Sequence, residues 1–406
     1  MLNETRNEEI IALCQALVQR QSYSGQEADV ANYIQQFART KLFDEVEVDA
    51  LGNVLLTING KEAGPTILLD GHIDTVPVHQ EDWTVNPYGG ERTDSKIFGR
   101  GTTDMKGAVS GMILAANYLA EDTGKNFRGK IVVSCSVHEE CFEGVATRPI
   151  SAAKNPDYVV IGEATDLQLN HGQRGRAEIV VTTVGKPAHS SNPDKGINAV
   201  YQMTKLLDAI RMLPVSTHEI LGKGILELTD IQSAPYPGAS VVPSQCRVTF
   251  DRRLLVGETK ESVLAPIQEV ITQLTEKDIT FKASAMYSAG SELCYTGATI
   301  AAERFFPAWL FDAQADFVQV PLQALQKAGI SAELSHYSFC TNGSHFAGEV
   351  EIPTIGFGPS LESLAHVDDE YIEIDQLTKA THGYYAIIQA LQTLTVGTRK
   401  GSEQYV

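Results

Sequence analysis

The chain has 406 residues, 43 % of them hydrophobic and 20 % charged, which is enough for two or three domains with sizeable cores. Its formal net charge of −19 argues against nucleic acid or an anionic membrane as a partner, because both would repel it. The 6 cysteines are scattered without a CxxC pair and read as reduced thiols rather than a disulfide framework. The first residues, MLNETRNEEI, have neither a basic nor an apolar leader region, and no apolar run reaches the roughly 18 residues of a membrane span. A cytoplasmic protein without membrane contact is therefore expected.

In chain order, Ile10, Leu13, Cys14 and Leu17 recur at helical spacing, which predicts an amphipathic helix over residues 5–20. Four short apolar runs follow, NVLLTI, TILLD, KIVVSCSV and DYVVIG, each bounded by turn residues. Between the second and third, residues 105–120 are rich in Ala and Leu and predict a buried helix. Strands apolar throughout, alternating with helices, imply an α/β domain with a mostly parallel sheet covered on both faces. Near Gly175 the texture changes. RAEIVVTTV alternates, a helix is predicted at 194–213, then ILELTDI and SQCRVTFDRRL, a helix at 259–275, and ITFKASAM. This β-α-β-β-α-β order predicts a ferredoxin-like α+β domain over residues 175–288. It would be inserted into a larger domain made of residues 1–174 and 289–406, which ends in a helix at 374–394.

Acids and histidines follow the predicted strands of the larger domain. TILLDGHIDTVPV delivers His72 and Asp74, GRGTTDMKG delivers Asp104, SVHEE delivers Glu139 and Glu140, VIGE delivers Glu163, and AHVDDE delivers His366. In an open parallel sheet the carboxyl ends of the strands converge on one crevice. Each residue alone has a bland reading. Asp104 could be a helix cap, and Glu139–Glu140 a solvated pair. Together, so many carboxylates in one crevice need a compensating cation. Imidazole with carboxylate suits zinc best, with cobalt or manganese as alternatives, and two ions about 3.5–4 Å apart could share one carboxylate.

These motifs, with GEAT, GKPAHSS and VVPSQCRVTFDRR, make the chain resemble the M20 metallopeptidases, the group of acetylornithine deacetylase, succinyl-diaminopimelate desuccinylase, aminoacylase and glutamate carboxypeptidase. The segment HGQRGRAEI also resembles a subgroup linked to selenium metabolism. The resemblance spans nearly the whole chain and implies roles. His72 and Glu163 would complete one metal site, Glu140 and His366 the other, and Asp104 would bridge both. Asp74 would orient the His72 ring, and Glu139 would be the general base acting on a metal-bridging water. His189 would stabilise the oxyanion, from the neighbouring subunit in dimeric members, and Arg253 would bind a substrate carboxylate. Many members carry an asparagine where this chain has Ser240, a shorter donor. His79, His138, His171, Cys135 and Cys141 match no family role and are read as structural.

The resemblance thus implies two divalent ions, zinc foremost, a homodimer formed through the inserted domain, and hydrolysis of an amide in a small N-acyl or N-carbamoyl amino acid. The alternatives are a dipeptidase or carboxypeptidase, and a non-catalytic binding protein of the same fold. The last would require loss of a ligand or of the base, and all are present.

Overall fold

The computed structural model describes residues 3–395. Nine strands form the main sheet, in the order Glu45–Val48, Val54–Asn59, Arg128–Ser136, Glu62–His72, Tyr158–Ile161, Thr354–Gly356, Leu169–Gln173, with Trp309–Leu310 and Leu334–Tyr337 both joined to Leu169–Gln173. The middle four, from Arg128–Ser136 to Thr354–Gly356, run parallel, and antiparallel strands flank them. The fold is thus mixed α/β with a parallel centre.

The period-two alternation of these strands divides their side chains between two cores. Ile67, Leu69, Ile131, Val133 and Val160 face one core, which is shared with helices Glu4–Val18, Gly107–Thr123 and Ile374–Gln392. Leu68, Val132, Val159 and Ile161 face the other, with Ile150, Phe346 and Ile352. Because both faces are covered, apolar residues run consecutively through the strands, as in Ile67–Leu69 and Ile131–Val133. Each such Leu or Ile stabilises the fold by about 1.5–3 kcal/mol through burial. The Gly107–Thr123 helix is buried on nearly all sides and stops at Gly124, whose φ of 57° is the left-handed C-terminal turn that glycine permits.

The second sheet contains Ile225–Ala234, Gln245–Leu254, Gly175–Val184 and Ala283–Tyr287 in that spatial order, all antiparallel, with Phe305–Phe306 added to Gly175–Val184. Helices Ala199–Ile210 and Lys260–Lys277 cover one face. Its core of Ile179, Val181, Met203, Leu206, Val248 and Phe250 is separate from those of the main sheet. The first of these helices begins later than its periodicity suggests. The Asn198 side chain accepts from the amides of Val200 and Tyr201 and so sets the start. In the second, Thr259 and Ser262 form a capping box.

Candidate metal centre and active site

Each of the four parallel strands leads to a site residue at or beyond its carboxyl end. His72 ends Glu62–His72, and Glu139 and Glu140 follow Arg128–Ser136. Glu163 follows Tyr158–Ile161, and His366 lies on the loop after Thr354–Gly356 with a φ of 61°. Asp104 comes from the irregular turn Thr102–Lys106 that leads into the buried helix.

These residues form two groups of potential ligands, His72–Asp104–Glu163 and Asp104–Glu140–His366. Asp104 belongs to both because its oxygens are divided. Oδ1 lies 2.8 Å from His72 Nε2 and Oδ2 lies 3.0 Å from His366 Nε2. Glu163 lies 3.4 Å from His72 Nε2, and Glu140 lies 3.0 Å from His366 Nε2.

The electrostatics bear on what these groups could hold. Burial disfavours a charged His72 ring, yet Asp104, Asp74 and Glu163 together raise its proton affinity well above the ordinary value. The Asp104 and Glu140 carboxylates raise His366 to about 10. Burial, with the Asp104 charge second, pushes Glu140 up to about 7, and Glu140 Oε1 is buried with no hydrogen-bond partner. Burial also pushes up the Asp104 carboxyl, but the two histidines outweigh this and hold it below the usual range. A cluster that draws positive charge onto both imidazoles and leaves a buried carboxylate oxygen unpaired fits divalent cations. Imidazole nitrogen and carboxylate oxygen are suitable donors.

The neighbours of the ligands set their positions. His72 Nδ1 lies 2.9 Å from the Asp74 carbonyl oxygen, which can only accept. That bond puts the ring hydrogen on Nδ1 and leaves Nε2 free as a ligand atom. The Asp74 carboxylate is 3.5 Å from the ring. It holds the Glu139–Glu140 loop instead, accepting from the amides of Glu139 at 3.1 Å and Glu140 at 3.2 Å and from Ser24 Oγ at 2.7 Å. Asp74 thus ties the His72 strand to the Glu139–Glu140 loop, a second contact that its spacing from His72 does not reveal. Glu139 is 6 % exposed. Burial, opposed by His72 and reinforced by Glu163 and Glu140, raises its carboxyl well above the ordinary range.

A cavity of about 400 Å³ opens over these groups. Glu139, Glu140, Glu163 and His366 line it, and Arg253 and Phe339 join them. Arg253 comes from the second sheet and uses Nε on Asp251 Oδ1 at 2.8 Å, so its terminal edge is available to an anion. His189 and Ser240 lie elsewhere. They sit on adjacent segments of the second domain, linked by Ser190 N donating to Ser240 O at 3.0 Å. His189 is exposed, bonds only within its own turn through Ser191, and does not line the cavity. His138 is fully buried and His171 bonds the Phe311 carbonyl. Neither they nor Cys135 and Cys141 belong to the ligand groups.

Several contributors escape sequence reasoning. Glu370 is fully buried. Its Oε1 accepts from the amides of Thr103 at 2.8 Å and Asp104 at 3.1 Å, while Oε2 pairs with Arg100 at 2.6 Å. Asn342 fixes the CTNGSHF loop, donating to Asp70 and Ser136 and accepting from Gly144. Glu143, Arg176 and Cys340 line the cavity. The only sequence signal for these residues is proximity to a motif: Glu370 lies inside AHVDDE and Glu143 just after HEE.

Comparison with known proteins agrees with this geometry. The profile of peptidase family M20/M25/M40 matches residues 68–390. Uncharacterized protein YgeY of Escherichia coli (strain K12) is 33 % identical over 90 % of both chains. The acetylornithine deacetylase of Photorhabdus laumondii is 27 % identical over 79 % of this chain and 78 % of its own. In fold, the chain resembles the Bacillus subtilis YXEP protein, described as a dinuclear metal binding peptidase, with a TM-score of 0.71 at 15 % identity over 96 % of this chain and 99 % of that one. No helix among the described residues is long and apolar enough to cross a membrane. The chain belongs to the M20/M25/M40 peptidase family and is a hydrolase of that family.

Proposed function

We propose that the chain hydrolyses the amide bond of a small N-acyl or N-carbamoyl amino acid. The observation that carries this reading is one cavity holding two ligand groups joined by Asp104, with Glu139 beside them and an arginine edge open to a carboxylate. His72, Asp104 and Glu163 would hold one divalent ion, and Asp104, Glu140 and His366 the other. We favour zinc, with cobalt or manganese as alternatives. When bound, the ions supply Lewis acidity, polarising a carbonyl and acidifying water. Glu139 takes the proton from the attacking water and returns it to the leaving amine, while Arg253 orients the substrate through its carboxylate. The relative named acetylornithine deacetylase supports an acyl substrate.

His189 does not line the cavity of its own chain, and this favours a homodimer in which the inserted domain presents His189 to the partner's site. Six unpaired cysteines support a reducing, cytoplasmic setting, and the net charge of −19 speaks against nucleic-acid or membrane partners.

The test is metal analysis of the purified chain, followed by assays with zinc, manganese or cobalt on N-acetyl, N-succinyl and N-carbamoyl amino acids and on dipeptides. Two ions per chain with chelator-sensitive release of amine from an acylated amino acid is the expected result. Preference for dipeptides would move the reading to a dipeptidase. No metal and no hydrolysis would overturn it in favour of a binding protein.

A further inference from the structure

The uncovered face of the second sheet begins with charge, and this charge runs out of the sheet into the base loop. Arg176 stands next to Gly175 at the start of its strand, and its register partner is Arg253. One carboxylate serves both guanidinium groups. Asp251 Oδ2 accepts from Arg176 Nε at 2.9 Å, and Oδ1 pairs with Arg253 Nε at 2.8 Å. Arg176 then reaches across, and its Nη1 donates to Glu143 Oε1 at 2.7 Å. Glu143 lies on the tight turn that follows the proposed base, where the Phe142 amide bonds back to the carbonyls of His138 at 3.0 Å and Glu139 at 3.2 Å. Its side chain is 8 % exposed, and its Oε2 has no partner.

The sequence of charges from base loop to substrate edge is therefore Glu143, Arg176, Asp251, Arg253, alternating in sign. Both ends line the same cavity. Arg176 is not a second anion binder. Its Nε and Nη1 are engaged, and its Nη2 faces Glu178 at 3.9 Å. Pairs this short, drawn partly out of water, interact more strongly than exposed pairs.

We infer that Arg176 is a positioning residue that couples occupancy of Arg253 by a substrate carboxylate to the placement of the loop bearing Glu139. This inference rests on the proposed hydrolase reading. An anion docked on Arg253 competes with Asp251 for that guanidinium, and Asp251 shifts its charge toward Arg176. The Arg176–Asp251 unit then holds Glu143 in register, and Glu143 anchors the turn behind Glu139. Binding energy from a remote part of the substrate is thereby realised at the reacting centre, so a substrate without the carboxylate loses kcat and not only affinity.

Glu143→Gln keeps the shape and one acceptor oxygen but removes the charge. It is compared with Arg176→Lys, Arg253→Lys and the Glu143→Gln/Arg253→Lys pair. The substrates are an acylated amino acid that the native chain hydrolyses and the matching acylated amine without the carboxylate. Glu143→Gln is expected to lower kcat on the acid about tenfold more than on the amine, with KM for the acid within about threefold and native metal content. Added to Arg253→Lys, it is expected to lower kcat no further. Equal losses on both substrates, or losses that multiply in the pair, would overturn the coupling and make Glu143 a structural residue.

Amide hydrogen exchange gives a readout independent of turnover. Residues 138–144 are expected to exchange several-fold faster in Glu143→Gln and Arg176→Lys, with residues 177–181 of the second sheet unchanged. Unchanged exchange at 138–144 overturns the coupling whatever the activity. Faster exchange there in a metal-loaded chain that hydrolyses nothing supports the contact and overturns the hydrolase reading instead.

Discussion

The two sheets of this molecule solve different problems. The main sheet is covered on both faces, and its four central strands run parallel, so their ends deliver ligands from a rigid base into one crevice. The second sheet is covered by helices on one face only. Its uncovered face carries Arg176, Glu178, Asp251 and Arg253, and its outer strand leaves Ile225 and Ile231 exposed at 40 % and 52 %. The first places its site residues at the ends of fixed strands, and the second brings Arg253 to the edge of the same cavity. Rigid placement is required where charges must meet within a few tenths of an ångström, and adaptable placement where molecules enter and leave.

The largest effects should therefore come from the main sheet. Glu139→Gln is expected to lower kcat by about 10²–10⁴-fold while both metal sites stay filled, because the side chain is beside the ligands and not among them. Asp104→Asn is expected to empty both sites, since its two oxygens serve different groups. Metal analysis beside kinetics separates the two variants. Full turnover by Glu139→Gln would refute the base assignment.

Next comes the second sheet. His189→Ala is expected to cost about 10²–10³-fold in kcat if its ring stabilises the oxyanion. Mixed with Glu139→Gln chains, it should regain roughly a quarter of native activity, because half of the dimers then hold one site with both groups intact. Failure of the mixture to regain activity, with dimers present, would mean that His189 acts within its own chain or not at all. This experiment bears directly on the comparison, because it asks whether the second sheet works on its own crevice or on the neighbour's.

The sequence reveals the first sheet better than the second domain's role, and the reason is physical. Strands buried on both faces tend to carry consecutive apolar residues, so TILLD and KIVVSCSV declare themselves. The ligands stand at their ends inside glycine-bounded motifs. Leu169–Gln173 does not declare itself. Its five residues, LNHGQ, are all buried, and Gln173 finds its partner far along the chain, at Thr341. The helices Ala28–Ala38 and Asp316–Lys327 and the hairpin Ala289–Leu293 with Thr299–Glu303 lack a distinctive boundary motif. The contacts of Glu370 with Asp104, and of Arg176 with Glu143, cross 266 and 33 positions. No local pattern encodes such pairs, and only the fold brings them together.

Glu370 supplies a weaker test within the main domain. Glu370→Ala removes two acceptor bonds from the Thr103 and Asp104 amides and strands Arg100. Loss of such support for a ligand is expected to weaken metal binding about 10–100-fold, read by competition with a chelator. Native affinity in a folded variant would show that the turn holds Asp104 without it.

The smallest effect is one of stability, and it also divides the two regions. On the second face of the main sheet, Glu349 bonds His345 at 2.7 Å and Arg148 at 2.6 Å. Burial pushes its carboxyl up, but these two partners prevail and bring it down to about 2. A carboxylate whose pKa is depressed by folding stabilises the native state at pH values above its unfolded pKa of about 4.3, and this contribution fades as pH falls towards 2. At neutral pH it amounts to about 1–3 kcal/mol, with allowance for partial exposure. Glu349→Gln should lower the unfolding midpoint at pH 7, and the gap from the native chain should close on acidification. Where the second domain's helix Lys260–Lys277 meets the strand Thr299–Glu303, the exposed Lys260–Glu303 pair should contribute no more than about 1 kcal/mol, so Glu303→Gln should leave the midpoint nearly unchanged at every pH. Equal shifts for both variants would mean that burial at Glu349 does not separate the two regions energetically, and that the main sheet owes its rigidity to its apolar cores alone.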